Sequence, residues 1–185
     1  MVNYHKQKSI KWNTVKSKVI LDNYYCRVIQ EEVLTSTGKV VPEYFLVSRR
    51  DVVIIVPVTK SGKFVLIREY KHGVGQQILM FPAGLVDTDK NARDTAIKEL
   101  REETGYNTGR VHFLGTFYEY PSNDTHKVYV FLAKNLPEAP SGSISKDEET
   151  ELLYLTQDKL KKMILKNELK LATAVCAYIL AGEMI

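Results

Sequence analysis

The chain is poor in cysteine, with only Cys26 and Cys176 among its 185 residues. These two residues lie far apart in apolar contexts, and they do not make the framework of several disulfides that small secreted domains need. We therefore expect two buried free thiols in a reducing, cytoplasmic environment.

Long apolar segments and strong charge of one sign are also missing. The apolar stretch 171–181 is shorter than the roughly 20 residues that span a membrane, and residues 1–8 lack the apolar part of a secretion signal. The net charge of +4 is spread along the chain, which gives little support for nucleic-acid binding. We expect neither a membrane nor a nucleic acid as a partner.

What is present is a succession of strand patterns. Residues 12–48 indicate antiparallel strands separated by turn signals at 22–23 and 36–39. The continuous apolar run 52–58 predicts a strand that is buried on both faces. Further strands are predicted at 64–70, 77–81, 111–120, 127–133 and 152–155, and terminal helices at 159–165 and 168–181.

These elements interleave without a regular strand-helix-strand rhythm, which predicts an α+β fold with a mixed sheet between helices. We expect two regions, a small N-terminal antiparallel β-sheet domain at 1–48 and a larger domain at 49–185. The small sheet has too little core to stand alone, so it must pack on the larger domain or on a second subunit.

The segment before Gly105 predicts an amphipathic helix. Ala92, Ala96, Ile97 and Leu100 form an apolar stripe at helical spacing, and Gly105 follows as a residue that ends the helix. Upstream, Phe81-Pro-Ala-Gly84 lacks bulk at its end, so the backbone there can approach a ligand closely and offer a carbonyl to a metal.

Three glutamates of this helix, Glu99, Glu102 and Glu103, lie at offsets of zero, three and four, which places their carboxylates on one face within a single turn. A nearby cation would relieve their mutual repulsion, and hard oxygen ligands suit magnesium or manganese rather than zinc. A solvated, charged surface helix is the alternative interpretation.

The segment from Gly84 to Tyr106, with Lys-Glu-Leu-Arg-Glu-Glu-Thr-Gly at 98–105, closely resembles the Nudix hydrolase signature. Two positions depart from it: Lys90 stands where the signature has a glutamate, and Lys98 where it has an arginine. Asp87 or Asp89 could replace the missing anion. Lys98 keeps a positive charge but cannot grip a carboxylate with two parallel hydrogen bonds as arginine does.

The resemblance extends over nearly the whole chain, to the ADP-ribose pyrophosphatase branch of Nudix hydrolases. It is carried by the Trp12 strand and by the runs 51–59, 67–71 and 81–84. In that branch a proline follows the signature, and Pro121 lies fifteen residues after Tyr106; an ordinary turn proline is the alternative. The resemblance implies a Nudix α/β/α sandwich preceded by the small sheet, and a swapped homodimer.

It also implies the site residues. The metal ligands would be the backbone carbonyl of Ala83 with Glu99 and Glu103, while Glu102 would be a ligand or a partner of the ligands. A further carboxylate, from the loop before the last strand, would act as catalytic base or orient the water. We expect Glu148 in this role, with Glu149 second; a solvated acidic turn is the alternative.

The substrate residues expected from the resemblance are Arg68, Lys71 for phosphate, Trp12 and Glu43 for the base, and Pro121. Trp12 would stack on the base or be a buried strand tryptophan.

Together these positions imply Mg²⁺-dependent hydrolysis of the pyrophosphate bond of a nucleoside diphosphate sugar, with Mn²⁺ as a possible substitute. ADP-ribose, yielding AMP and ribose 5-phosphate, is the first expectation. GDP-mannose or another nucleotide sugar is the second, and a sensor that binds without turnover is the third.

Overall fold

The computed structural model describes residues 10–87, 89–145 and 150–185. The chain forms two compact units. The first contains the residues up to Arg49 together with Tyr120–His126, and the second contains Arg50–Glu119 and Lys127–Ile185.

The first unit is a three-stranded antiparallel sheet in the order β1-β2-β3. The strands are β1 (Asn13–Asp22), β2 (Arg27–Leu34) and β3 (Val40–Ser48). Asn23 makes the first turn because its side-chain oxygen accepts hydrogen bonds from the backbone N–H groups of Tyr25, at 2.9 Å, and Cys26, at 3.0 Å. The predicted small antiparallel sheet is confirmed.

The segment Tyr120–His126 belongs to this same unit although it is far away in sequence. The backbone N–H of Val47 donates to the carbonyl of Asn123 at 2.8 Å, and the Asn123 side chain donates to the carbonyl of Phe45 at 2.6 Å. Pairing of this kind attaches the segment along β3.

The second unit is built on a seven-stranded mixed sheet in which β4 is central. β4 pairs in parallel with β9 and antiparallel with β5 and β7. The strands are β4 (Val52–Thr59), β5 (Phe64–Lys71), β6 (Gln76–Met80), β7 (Ala83–Leu85), β8 (His112–Phe117), β9 (Val128–Leu136) and β10 (Glu151–Leu155).

Helices cover both faces of this sheet. Ala96 and Leu100 of α1 (Ala92–Thr104) pack against Val53 and Ile55 of β4. The opposite face of β4 packs against α2 (Gln157–Leu165) and α3 (Ala172–Gly182). Because successive strand residues alternate between faces, the unbroken apolar run of β4 is what two helical layers require. The α+β prediction, with an α/β/α sandwich and a mixed sheet, is confirmed.

The prediction of two buried thiols is wrong. Cys176 is exposed and Cys26 is only partly buried. On α3 the buried residues are Ala174, Ala177, Tyr178 and Ala181, so position 176 falls on the outward face of the helix. An apolar neighbourhood in the sequence did not distinguish the two faces.

Among the described residues, no helix has the length and apolar character needed to cross a membrane.

Candidate active site

The α1 helix has well-defined ends, and these set the direction in which its glutamates point. At the start, the Asn91 side chain accepts a hydrogen bond from the backbone N–H of Asp94 at 2.9 Å. At the end, Gly105 adopts a left-handed conformation with φ +73°, which suits glycine, and its N–H donates to the carbonyl of Arg101. The helix therefore presents Glu99 and Glu103 on its buried side.

Glu99 lies directly over the backbone of Gly84. A Cβ atom placed on Gly84 would lie 2.3 Å from the Glu99 carboxyl carbon and 2.6 Å from Oε1. β7 holds this stretch in place by pairing Ala83 with Ile54 and Gly84 with Val53 on β4. The absence of a side chain at position 84 is thus what allows the carboxylate to approach the chain.

Glu103 is held by Ala83, the residue before Gly84 on β7. Its Oε2 accepts a hydrogen bond from the backbone N–H of Ala83 at 2.9 Å, and the residue is only 4% exposed. Two carboxylates therefore converge on the backbone of Ala83 and Gly84, deep enough for water to screen them weakly.

Lys98 places a positive charge close to Glu99 and Glu102. Its Nζ lies 3.4 Å from Glu99 Oε1 and 3.3 Å from Glu102 Oε2. Partial burial by itself would lower the pKa of Lys98, but the Glu99 charge and the hydrogen bond to Glu102 raise the pKa above its ordinary value. Arg101 contacts Glu102 from outside at 3.7 Å and is more exposed.

Lys90, the other position that departs from the signature, lies close to Asp87. The two side chains form an ion pair at 3.1 Å, and Arg50 lies 3.8 Å from the other Asp87 oxygen. The hydrogen bond from Lys90 is the main reason that the pKa of Asp87 lies below its usual range, despite the opposing effect of desolvation. Asp87 is one of the two aspartates that could replace the missing glutamate, and its carboxylate has the side chains of Lys90 and Arg50 close to it.

The donor atoms fit a hard divalent cation. Glu99, Glu103 and the Ala83 carbonyl are all oxygen donors, and Mg²⁺ commonly takes one or two carboxylates and completes its shell with water and phosphate oxygens. Within residues 10–87, 89–145 and 150–185, no group of three or more histidine, cysteine, aspartate or glutamate side chains is placed to hold a metal. Carbonyl, water and substrate oxygens would therefore have to supply part of the coordination.

The connection after β9 docks on the last turn of α1. The N–H of Gly142 donates to the carbonyl of Gly105 at 3.0 Å, and the N–H of Ser145 donates to the carbonyl of Glu102 at 2.8 Å. Thr150 donates through its hydroxyl to the carbonyl of Glu103 at 3.4 Å. The expected catalytic residues Glu148 and Glu149 fall outside the described residues.

Arg68 and Lys71 are not brought together. Both lie on β5 in regular register with β6, and three residues of separation along a strand place their side chains on opposite faces. Arg68 pairs with Glu151 at 2.6 Å, and Lys71 pairs with Glu69 at 2.7 Å.

Trp12, Glu43 and Pro121 all lie in the first unit. The alternative of a buried tryptophan is wrong, because Trp12 is 46% exposed and makes an edge contact with Tyr44 at a centroid distance of 6.0 Å. Glu43 accepts a hydrogen bond from Gln30 at 3.4 Å, and Pro121 is exposed.

Sequence reasoning did not identify two features of this region. The bridging position of Lys98 had a readable signal, since residues 98 and 102 are four apart on a helix. The docking of Gly142 on Gly105 had none, because the two glycines are distant in sequence and belong to different elements.

The chain is similar to several known proteins. The chain is 26% identical over 162 residues to an ADP-ribose pyrophosphatase of Bacillus subtilis, with 87% of each chain covered. It is 29% identical over 168 residues to a GDP-mannose pyrophosphatase of Escherichia coli K12, covering 84% of this chain and 87% of that one. The fold matches the crystal structure of an ADP compounds hydrolase with a TM-score of 0.81, 24% identity and 96% of each chain covered. The sequence profile of the NUDIX domain matches residues 48–174, and the chain belongs to the NUDIX domain family.

Proposed function

We propose that this protein hydrolyses the pyrophosphate bond of a nucleoside diphosphate sugar, with ADP-ribose preferred and AMP and ribose 5-phosphate as products. The observation that carries the proposal is the convergence of two buried carboxylates, Glu99 and Glu103, on the backbone of Ala83 and Gly84. The ADP-ribose pyrophosphatase of Bacillus subtilis, a relative over most of both chains, supports the choice of substrate.

The proposed cofactor is Mg²⁺, with Mn²⁺ as a substitute. The Ala83 carbonyl, Glu99 and Glu103 would hold it, with Glu102 as a further ligand or a partner of the ligands. When bound, a divalent cation supplies charge neutralisation on the diphosphate and lowers the pKa of a bound water.

The chain's own residues do the positioning. Glu103 is held by the Ala83 N–H, so its second oxygen has a fixed direction. Glu148, or Glu149 next to it, would take the proton of the attacking water. Lys71 would neutralise a phosphate as a point charge.

The first unit would supply the base-binding residues. Trp12 offers an exposed ring for stacking, Glu43 a carboxylate for the edge of a purine, and Pro121 a rigid loop position.

We also propose a homodimer in the cytoplasm, where the free thiols would stay reduced. All ten residues of β1 are exposed, including the apolar Val15, Val19, Ile20 and Leu21, and such a strand favours a partner surface. Sedimentation equilibrium tests this, and a monomer at micromolar concentration would contradict it.

GDP-mannose is the second candidate substrate. The identity to the GDP-mannose pyrophosphatase is slightly higher than to the ADP-ribose enzyme, over a similar share of the chain.

The experiment is phosphate release, coupled to a phosphatase, from ADP-ribose, GDP-mannose, ADP-glucose and NADH, each with and without Mg²⁺. Metal-dependent turnover of one nucleotide sugar is expected. Silence across the panel, together with measurable binding of ADP-ribose, would contradict the proposed hydrolysis and favour a sensor.

The matched variants are Glu103→Gln and Glu168→Gln. Glu103→Gln keeps the shape and the acceptor for the Ala83 N–H but removes the charge, so kcat should fall roughly 100-fold or more, as when a preorganised charged or polar group is lost. Glu168 is exposed between α2 and α3, and its substitution should leave kcat unchanged. Full activity of Glu103→Gln would reject the assignment.

A further inference from the structure

Lys98 occupies a bridging position that the proposed hydrolysis does not use. Its ammonium lies 3.4 Å from Glu99 and 3.3 Å from Glu102, and both partners are less exposed than an ordinary surface pair. The side-chain exposures are 35% for Lys98, 12% for Glu99 and 32% for Glu102. We call Glu99, Glu102 and Glu103 the carboxylate cluster.

We propose that Lys98 is an internal counter-ion of the carboxylate cluster, and that its charge lowers the affinity of the cluster for divalent cations. This inference rests on the proposed function, because it concerns the same metal site. It goes beyond the proposed hydrolysis, in which Lys98 has no role.

The chemistry of the side chain supports this role. An arginine can hold a carboxylate through two parallel hydrogen bonds in a fixed plane, whereas a lysine ammonium is a single point charge on a flexible stem. Lys98 contacts Glu99 and Glu102 with one nitrogen, and its side chain is about one-third exposed, so it has a path to solvent.

Its position also makes it a competitor of a metal. Glu99 Oε1 and Glu102 Oε2 are oxygens that a divalent cation would need, and a positive charge within 3.4 Å of both raises the cost of placing a second cation there. In the metal-free protein the same charge relieves repulsion among three adjacent glutamates. Lys98 thus stabilises the apo state and weakens metal binding.

Lys90 does not share this role. Its ammonium pairs with Asp87 at 3.1 Å. Asp87 therefore holds the second lysine of the altered signature in a separate ion pair, and Lys98 is the lysine that bridges the cluster.

The test measures Mn²⁺ binding directly, by the electron paramagnetic resonance of free Mn²⁺, without any substrate. Lys98→Met keeps the length of the stem and removes the charge, and it should lower the Kd for Mn²⁺ about tenfold or more. Lys98→Arg keeps the charge and should bind as the wild type does. Arg101→Met removes a more exposed charge that lies 3.7 Å from Glu102, and it should change the Kd much less.

Thermal unfolding gives a second readout. Metal-free Lys98→Met should have a lower Tm than the wild type, and saturating Mn²⁺ should raise its Tm by more than it raises the wild-type value. Circular dichroism at low temperature checks that the variant is folded. If Lys98→Met is unfolded without metal, recovery of its fold on adding Mn²⁺ supports the proposal, and failure to recover overturns it.

The two proposals fail differently. A wild-type protein that binds Mn²⁺, with Lys98→Met binding equally or more weakly, overturns only the role of Lys98 and indicates that the lysine merely positions the glutamates. If neither the wild type nor Lys98→Met binds Mn²⁺ at millimolar concentration, both proposals are overturned. Both proposals are supported if Glu103→Gln loses Mn²⁺ binding and the separate Lys98→Met variant binds Mn²⁺ more tightly than the wild type does.

Discussion

Replacing Gly84 with alanine tests the close approach of the Glu99 carboxylate to β7. The added Cβ would lie 2.3 Å from the Glu99 carboxyl carbon, and ordinary contact begins at 3.4 Å, so the two groups must separate by about 1.1 Å. A displacement of this size near a reacting centre costs on the order of 100-fold in rate. We expect kcat for ADP-ribose to fall by roughly that factor.

The cost in stability should be smaller than the cost in activity. Overpacking typically costs about 1–3 kcal/mol, and the low end applies here because the obstructing group is the end of a glutamate side chain rather than backbone. No positive φ angle is involved at position 84, so backbone strain does not contribute. Urea unfolding of the metal-free protein measures this term separately from kcat.

Gly109→Ala is the matched control, because a Cβ there meets nothing within 4 Å and Gly109 also has no positive φ. It should leave both kcat and the free energy of unfolding unchanged. A Gly84→Ala variant with wild-type kcat and stability would refute the packing of Glu99 on Gly84, and with it the assignment of Glu99 to the site.

Two further predictions concern other parts of the second unit. Gly105→Ala should lower the free energy of unfolding by at least about 2 kcal/mol, because a left-handed conformation disfavours alanine and its Cβ would lie 2.4 Å from the Gly142 carbonyl. Gly142→Ala, whose nearest contact is 3.0 Å, should cost less than half as much in urea unfolding, and the reverse order would contradict the docking of the connection. Cys176 should react with a thiol reagent in the native protein before Cys26 does, and a Cys176→Ser variant that keeps the fast phase would contradict the exposure of α3.

Sequence patterns predicted those elements in which the spacing of apolar residues along the segment itself reflects which side chains are buried. The run 52–58 corresponds to β4 because a strand between two helical layers needs apolar residues at every position. The stripe around Ala96 and Leu100 predicted α1 for the same kind of reason, and both residues are fully buried. The order of the glutamates along one turn follows from that helix.

Contacts between distant segments could not be predicted in this way. β7 has only three residues, Ala83–Leu85, and takes its strand character from pairing with β4 rather than from any alternation of its own. The segment Tyr120–His126 joins the first unit through hydrogen bonds to β3 that no periodicity signals.

The parallel pairing of β4 with β9 also constrains how the chain reaches its native state. Val52 pairs with Val128 and Pro57 with Ala133, so the centre of the sheet joins segments separated by most of the second unit. Closing so long a loop is entropically costly and slows folding, and during synthesis β4 has to wait for β9 to leave the ribosome. Until then the apolar residues of β4 are not packed in the native sheet, and the nascent protein is prone to aggregate during this interval.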